Sequence, residues 1–123
     1  MSNAARSLFV FGLYLFVVGP GFIFVPNLVL SLLGFPTTDE PWIRIIGLLV
    51  FVLGYYYVQA ALHEHTPFFK ATVHGRIAAA VGFVLFVILD LAGPMLLLFG
   101  AADFVGAIWT ALALKNRAAV SRT

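Results

Sequence analysis

The sequence predicts an all-α integral membrane protein, a four-helix bundle with both termini in the cytoplasm. Of its 123 residues, 63% are apolar and only 10% are charged, whereas a typical soluble domain has about 45–50% and 25%. The mean hydropathy is +1.07. A soluble domain of this size exposes too large a share of its surface to hide so many apolar side chains. The apolar stretches are also too long for membrane β-strands and lack their alternation.

Charged residues and prolines delimit four spans within a single domain, residues 1–123. Pro20 and Pro26 interrupt the first span, and we expect a kink or an unwound turn near Gly19-Pro20-Gly21. Residues 68–75 are predicted to be a mixed connector, or a short interfacial helix, that precedes the third span. A helix that crosses a bilayer needs about 20 apolar residues. The spans predicted on this basis are residues 8–33, 42–62, 75–91 and 94–114.

Lysine and arginine predict the orientation of the bundle. Only Arg44 lies near the first loop, and the third loop has no basic residue. The other basic residues lie at the two ends of the chain or near the second loop, and they are Arg6, Lys70, Arg76, Lys115, Arg117 and Arg122. Because cytoplasmic segments carry an excess of Lys and Arg, both termini are predicted to be cytoplasmic. An even number of spans agrees with that orientation.

Small residues recur at helical spacing along the spans. Gly12 and Gly19 are seven residues apart, as are Gly47 and Gly54. The fourth span carries a ladder with a step of four: Ala102, Gly106 and Thr110. Faces of this kind let helix backbones approach closely in lipid. We expect them to pack helices within one chain, and the alternative is that one such face forms a homo-oligomer.

The second span carries a resemblance to a known family. Residues 44–54 read Arg-Ile-Ile-Gly-Leu-Leu-Val-Phe-Val-Leu-Gly and are followed by an aromatic run. This segment resembles the second helix of the DoxX-like bacterial four-helix membrane proteins, and the short length and four-span layout are similar. The resemblance implies a location in the bacterial inner membrane. Some members of that group are membrane subunits associated with quinone-linked oxidoreductases, so a larger complex is implied as a partner. The resemblance assigns no catalytic residue to this chain.

Asp103 is the most informative polar residue, because it lies about ten residues into the fourth span, near the middle of the bilayer. Placing a carboxylate there costs about 2.5–3.5 kcal/mol on insertion scales, so the side chain should face the bundle interior. Gly106 and Thr110 lie on the same face of that helix. Asp103 is either hydrogen-bonded across a helix contact or couples protons or substrate in a polar cavity.

A second group of polar side chains is expected around this carboxylate. Arg44 and Asp90 lie about one turn inside the outer ends of their helices, so they are expected to form an ion pair. The alternative is that each snorkels separately to the headgroups. Arg44, Tyr55 and Gln59 fall on one face of the second span. That face lines a cavity in one interpretation, and Tyr55 belongs to an aromatic belt in the other. The predicted ligand-binding residues are Arg44, Tyr55, Gln59, Asp90 and Asp103.

Lys70 and Arg76 are predicted to bind anionic lipid headgroups at the cytoplasmic face. The histidines nearby, His63, His65 and His74, lack the spacing that places two metal ligands on one face of a helix. The chain has no cysteine, which excludes thiolate sites and covalent haem. The sequence therefore predicts no metal, no cofactor and no catalytic residue. Its net charge of +2 and the lack of a basic surface pattern predict no nucleic-acid partner.

Three functions are compatible with these features. The first is a small polytopic membrane protein with a polar interior site that binds or carries a small amphipathic or lipid-like molecule. The alternative is a structural or accessory subunit of a larger membrane complex. The second alternative, an intramembrane enzyme that acts on a lipid or quinone with Asp103 as acid or base, is less favoured because only one carboxylate lies deep in a span. A cavity of a few hundred Å³ beside Asp103 would favour the first function.

Overall fold

The computed structural model describes the backbone of residues 1–121 and the side chains of residues 1–117, and the regular structure in this part is helical. Arg122, one of the basic residues used to predict the orientation, lies outside the described residues. A short 3-10 turn, Pro94–Leu96, precedes the last helix. The helices are α1 (Asn3–Phe24), α2 (Pro26–Leu32), α3 (Trp42–Leu62), α4 (Thr66–Ile88) and α5 (Leu97–Ser121).

Four helical segments are long and apolar enough to cross a membrane. They are Asn3–Phe24 with 22 residues, Trp42–Leu62 with 21, Thr66–Ile88 with 23 and Pro94–Arg117 with 24. Large apolar side chains cover the outside of the bundle; Val17 and Phe24, for example, are 74% and 75% exposed. Apolar surface of this kind is unfavourable in water but favourable in contact with lipid chains. The prediction of an all-α chain with four apolar helices long enough to span a membrane is confirmed.

α1 is the central helix of the bundle. It packs along α3 and against α5, and α5 in turn packs against α4, whereas α3 and α4 have few contacts with each other. Trp109 Nε1 donates to Asn3 Oδ1 at 3.1 Å, and Arg117 Nη1 donates to Thr66 Oγ1 at 3.4 Å. The start of α1, the α3–α4 turn and the later part of α5 therefore share one end, called here the α3–α4 end. The opposite end is called the α4–α5 end.

The break in the first predicted span lies at Val25, so the unwound turn expected as one alternative at Gly19-Pro20-Gly21 is not formed. α1 continues through Pro20, whereas Val25 adopts φ −132° and ψ 56° and separates α1 from α2. The residue before a proline is disfavoured in the helical conformation because its backbone and Cβ clash with the ring. Gly19, which precedes Pro20, has no Cβ and escapes part of this clash. The branched Val25 does not.

α4 begins well before the predicted third span. Residues 68–75, expected to be a connector, are helical. Pro67 occupies the first turn, where its missing N–H is not needed, and the His65 ring accepts a hydrogen bond from the Phe68 N–H at 3.3 Å. The longer helix moves Arg76 from the expected membrane surface to the middle of a span.

The glycines that are seven residues apart pack α1 against α3. A Cβ on Gly47 would lie 2.7 Å from the Gly19 carbonyl oxygen, and a Cβ on Gly12 would lie 3.1 Å from the Gly54 carbonyl oxygen. Because the two helices are antiparallel, Gly12 meets Gly54 and Gly19 meets Gly47. This α1–α3 glycine seam lies within one chain, as expected from the spacing.

Three helices end in the same way, in a Schellman turn whose key residue is left-handed. These residues are Gly34 after α2 (φ 77°), Glu64 after α3 (φ 50°) and Asp90 after α4 (φ 60°). In each turn a backbone N–H reaches back five residues to a helical carbonyl. The three bonds join Phe35 to Leu30, His65 to Ala60 and Leu91 to Phe86, at 2.9, 3.0 and 2.8 Å.

Candidate functional site

A cavity of about 640 Å³, partly open to the outside, lies between the helices and is lined by faces of α1, α3, α4 and α5. The lining positions recur every three or four residues, so each helix presents one face to it. The ends of the cavity differ in chemistry. The lining residues are Phe11, Tyr14, Leu15, Val18 and Phe22 of α1, Leu30, Leu33 and Phe35 after it, Trp42, Ile43, Ile46, Val50, Leu53 and Tyr57 of α3, Gly75, Arg76, Ala79 and Phe83 of α4, and Leu96, Phe99 and Asp103 near or within α5.

The side of the cavity between α3 and α4 is its least closed wall. These two helices are joined by a short turn, yet they have few contacts with each other. Close to the turn, the rings of Tyr57 and Phe68 meet edge to face with centroids 5.6 Å apart. Beyond that contact, residues of both helices line the cavity.

Arg76 is the deepest charged residue of the site. It lies on α4 and is only 3% exposed. Its Nε donates to the Thr72 carbonyl oxygen at 3.2 Å, and Nη2 donates to Thr72 Oγ1 at 3.1 Å and to Thr110 Oγ1 at 2.8 Å. A buried guanidinium needs acceptors of this kind, because each unpaired donor keeps its desolvation cost.

Thr110 connects Arg76 to the first helix. Its Oγ1 lies 2.5 Å from Ser7 Oγ, and one of these two hydroxyls donates to the other. The hydroxyl that accepts in this contact donates its own hydrogen to a backbone carbonyl: Gly106, 3.1 Å from Thr110 Oγ1, or Ala4, 2.6 Å from Ser7 Oγ. Ser7 and Thr110 are 1% and 0% exposed. This polar network joins α1, α4 and α5 near the α3–α4 end and fixes the position of the Arg76 side chain.

One nitrogen of Arg76 has no partner. Nη1 is the one buried side-chain nitrogen or oxygen in the described part of the chain that lacks a hydrogen-bond partner. The guanidinium carbon lies 5.0 Å from the centroid of the Phe11 ring and 5.7 Å from that of Tyr57. These aromatic faces stabilise a cation, but they do not replace an acceptor for the Nη1 hydrogens. Orphaned buried donors of this kind are rare in native proteins and call for an explanation.

Asp103 lines the same cavity, on α5. It is half-buried, and in the described residues it forms no ion pair with Arg76 or any other base. The Tyr14 and Tyr57 rings flank Phe11, with centroids 5.4 and 5.3 Å from it, and both line the cavity. We call Tyr14, Tyr57, Arg76 and Asp103 the polar pole of the cavity.

The other part of the cavity, towards the α4–α5 end, is apolar. Its wall consists of aliphatic and aromatic side chains, and Trp42 and Phe35 lie where α3 and the preceding loop close it. Along α1, the lining runs from Phe11 to Phe22, about 16 Å of helix. We call this part the apolar pole. The cavity therefore has the shape and polarity of an amphipathic molecule: one polar end and a long apolar end.

The expected ion pair between Arg44 and Asp90 is not formed. Arg44 Nη1 donates to the Ile23 carbonyl oxygen, one of the last carbonyls of α1, and such terminal carbonyls lack helical partners. Asp90 is exposed in its left-handed turn, beside the loop that contains Phe35. The break at the end of α1 explains the difference, because it offers Arg44 an acceptor that the sequence does not reveal.

Of the five predicted ligand-binding residues, only Asp103 lines the cavity. Tyr55 is exposed on the outside of α3, and Gln59 is half-buried away from the cavity. The face of α3 that turns inward carries Tyr57 instead. The prediction of a polar stripe placed the correct helix beside the cavity but chose the wrong face of it.

Lys70 and Arg76, predicted together as headgroup-binding residues, lie in different surroundings. Lys70 is exposed on the first turns of α4, whereas Arg76 is buried. The sequence reading missed Arg76, Tyr14 and Tyr57 as lining residues. The signal for Arg76 was present: Thr72 lies four residues before it and can accept its hydrogen bonds on the same helical face. In the described residues no group of three His, Cys, Asp or Glu side chains is placed to hold a metal ion.

Comparison with known proteins adds no assignment to this geometry. No protein-family model, curated protein or solved structure matches the chain. The resemblance of residues 44–54 to the DoxX-like proteins therefore stays a prediction from those residues alone.

Proposed function

We propose that this protein binds a small amphipathic molecule within the membrane, in the cavity between its helices, and holds or carries it there. The observation that carries the proposal is the cavity of about 640 Å³ with a polar pole at Arg76 and Asp103 and an apolar pole beyond. Its volume is within the range of about 300–1,000 Å³ that is typical of small-molecule sites. We also propose, from the distribution of basic residues and the resemblance, an inner-membrane location with cytoplasmic termini.

The cavity is a better argument for binding than for packing alone. Helices that only pack against each other leave few gaps much larger than a water molecule, whereas this cavity is large and partly open to the outside. If the polar groups served only to join helices, α3 and α4 could close over Asp103 and fill this space. A purely structural subunit also gives no reason for a carboxylate and a guanidinium to line one apolar cavity without forming a pair. An amphipathic occupant from the membrane accounts for both features.

Photolabelling in lipid nanodiscs tests this proposal. The probes are three dodecyl chains with a diazirine at the chain end and an alcohol, a carboxylate or an ammonium head group. With at least one of them we expect crosslinks at apolar-pole residues such as Phe22, Leu33 and Ile43, mapped by mass spectrometry of peptides. Labelling confined to lipid-facing residues with all three probes would reject the proposal and favour the accessory-subunit interpretation.

Two neighbouring alanines of α4 supply a matched pair of variants. Ala79 lines the cavity, whereas Ala78 is exposed on the outside of the same helix. Ala79→Phe should fill part of the cavity and reduce labelling of the apolar pole by roughly tenfold, the effect of about 1.4 kcal/mol. Ala78→Phe adds the same ring towards lipid and should leave that labelling unchanged. Equal labelling in both variants would contradict binding inside the cavity.

A further inference from the structure

We infer that the cavity selects a neutral amphiphile whose head group both accepts and donates hydrogen bonds, of which a hydroxyl is the simplest, and that this group bridges Arg76 and Asp103. The inference rests on the proposed function and names the chemical class of its ligand. It starts from the two opposite charges, which line one cavity without meeting each other.

The charge of the site favours a neutral head group. Arg76 and Asp103 are the only charged side chains among the described residues that line the cavity, and their formal charges cancel. Moving an ion from water into an apolar interior costs several kcal/mol unless an opposite charge compensates it. A carboxylate or an ammonium would leave the site with a net charge. A hydroxyl is neutral and leaves the net charge of the site at zero.

The hydrogen-bonding capacity of the site also favours a hydroxyl. A guanidinium only donates and an ionised carboxylate only accepts, so neither can satisfy a ligand group of its own kind. Nη1 of Arg76 lacks an acceptor but has almost no accessible surface, so a ligand reaches it once the Phe11 ring beside the guanidinium turns aside. No described residue is found as a hydrogen-bond partner of the Asp103 carboxylate. A hydroxyl oxygen accepts from Arg76 while its hydrogen is donated to Asp103, and both bonds are charge-assisted.

Arg76 of α4 contacts successive turns of α5, and these turns lead towards Asp103. Nη2 of Arg76 donates to Thr110, while Nη1 lies 2.9 Å from the position that a Cβ on Gly106 would occupy. Gly106 lies one turn before Thr110, and Asp103 lies on the same face about one turn further towards the α4–α5 end. The nitrogen without a partner is therefore the one nearer to Asp103, and the bridging group belongs between them.

The apolar pole then receives the chain of the amphiphile. It extends from the polar pole towards Phe35 and Trp42, and an extended dodecyl chain is comparable to the lined length of α1. The less closed wall between α3 and α4 gives such a chain a lateral path from lipid, so the molecule need not cross the aqueous phase.

The relative affinity of the three dodecyl probes tests the head-group preference. In phosphatidylcholine nanodiscs at about pH 7, where a carboxyl and an amine are ionised in water, we measure the probe concentration that half-saturates labelling of the apolar pole. The alcohol should saturate at a concentration about tenfold lower than either charged probe. A carboxylate or ammonium that binds as tightly as the alcohol would overturn the inference and leave the proposed function intact, whereas no cavity labelling by any probe would remove both.

Two charge-removing variants make the test independent of a single comparison. Asp103→Asn leaves the site with an excess positive charge, so the preferred probe should change from the alcohol to the carboxylate. Arg76→Gln leaves an excess negative charge, so preference should move to the ammonium. Because Arg76 joins three helices, that variant is read only if its thermal unfolding stays cooperative. Asp103→Asn removes no hydrogen bond found among the described residues, and an unchanged order of probes in it would refute the bridging role.

Discussion

At the scale of single residues, Glu64 holds the start of α1. Its Oε1 accepts from the Ser2 backbone N–H at 2.6 Å and Oε2 accepts from Ser2 Oγ at 2.8 Å. The backbone hydrogen bond from Ser2 is the main reason that the pKa of the Glu64 carboxyl lies below its usual value, with smaller contributions from the Ser2 hydroxyl and Arg117. Ser2 Oγ in turn accepts from the Ala5 N–H at 3.1 Å, so Ser2 also caps the helix.

The pH dependence of this contact follows from the sign of the shift. A carboxyl with a lowered pKa in the folded state stabilises the fold above the unfolded pKa of about 4.3, and the stabilisation is lost as the pH falls through the folded value. Glu64→Gln should therefore lower the free energy of unfolding at neutral pH by up to about 1 kcal/mol, since solvent still screens the partly exposed carboxylate.

In acid the difference between Glu64→Gln and wild type should vanish. Thermal unfolding in nanodiscs across the acidic and neutral range measures it. Glu40→Gln is the control, because the side chain of Glu40 accepts no hydrogen bond from the described residues. A destabilisation by Glu64→Gln that is the same at every pH would contradict a role for the charge.

Asp90 contributes through its backbone and not through its charge. It occupies the left-handed position of the turn that ends α4, with φ 60°, a conformation that Asn and Asp tolerate better than branched residues. Asp90→Asn should therefore leave stability unchanged, whereas Asp90→Val should lower the free energy of unfolding by about 1–2 kcal/mol because of steric strain at Cβ. Unfolding temperatures of the two variants give the comparison. A strong loss of stability in the Asp90→Asn variant would contradict this and would indicate that the charge of Asp90 contributes, as an ion pair with Arg44 requires.

The sequence placed Asp103 towards the bundle interior, where it lines the cavity, but it placed Arg76 at the membrane surface, whereas Arg76 is buried. Asp103 could be placed because it stands alone within a long apolar run. Arg76 follows a mixed segment that contains Lys70 and His74, and the sequence does not show that the helix begins ahead of them. Arg44 was misassigned for a related reason: its partner is a backbone carbonyl, which exists at every residue and leaves no signal in side-chain chemistry.

At the scale of helices, the α1–α3 glycine seam determines how closely the two helices approach. A Cβ on Gly47 would lie 2.7 Å from the Gly19 oxygen and 2.8 Å from Phe22 Cβ. Neither neighbour is a flexible side-chain end, so Gly47→Ala forces the helices apart. We expect a loss of about 1–3 kcal/mol in the free energy of unfolding, as for overpacked cores.

Gly82 provides the matched control for this variant. It lies on α4, and a Cβ there would meet nothing within 4 Å. Gly82→Ala should be neutral or slightly stabilising, by up to about 1 kcal/mol, because alanine has the higher helix propensity. Equilibrium unfolding of the two variants in the same detergent separates steric contact from the general effect of replacing glycine. Equal stability changes in both would contradict the close packing of α1 on α3.

The contrast between helix faces and helix ends shows what the sequence determines. Glycine spacing predicted the seam, because two residues seven apart lie on one face whatever surrounds them. The end of α1 depends on the residue that precedes each proline. Gly19 allows α1 to continue through Pro20, whereas α1 ends at Val25, before Pro26. The order of helix contacts in space, and with it the cavity, depends on all four helices together and could not be read from any one of them.

At the scale of the whole molecule, the orientation in the membrane is a prediction from charge. The α3–α4 end carries Arg6, Lys70, Lys115 and Arg117, whereas Arg44 is the one basic side chain that the structure describes near the α4–α5 end. Basic residues in short loops remain in the cytoplasm during insertion. The α3–α4 end should therefore face the cytoplasm, and the apolar pole should be directed to the opposite leaflet.

Cysteine labelling in intact cells checks this orientation, since the chain has no cysteine of its own. Thr38 lies in the loop between α2 and α3, at the α4–α5 end, and Lys115 is exposed near the other end. A membrane-impermeant maleimide added outside should label Thr38→Cys in intact cells and label Lys115→Cys only after lysis. The reverse pattern would place the basic end outside and would require that an amphiphile in the cytoplasmic leaflet, not the outer one, align with the apolar pole.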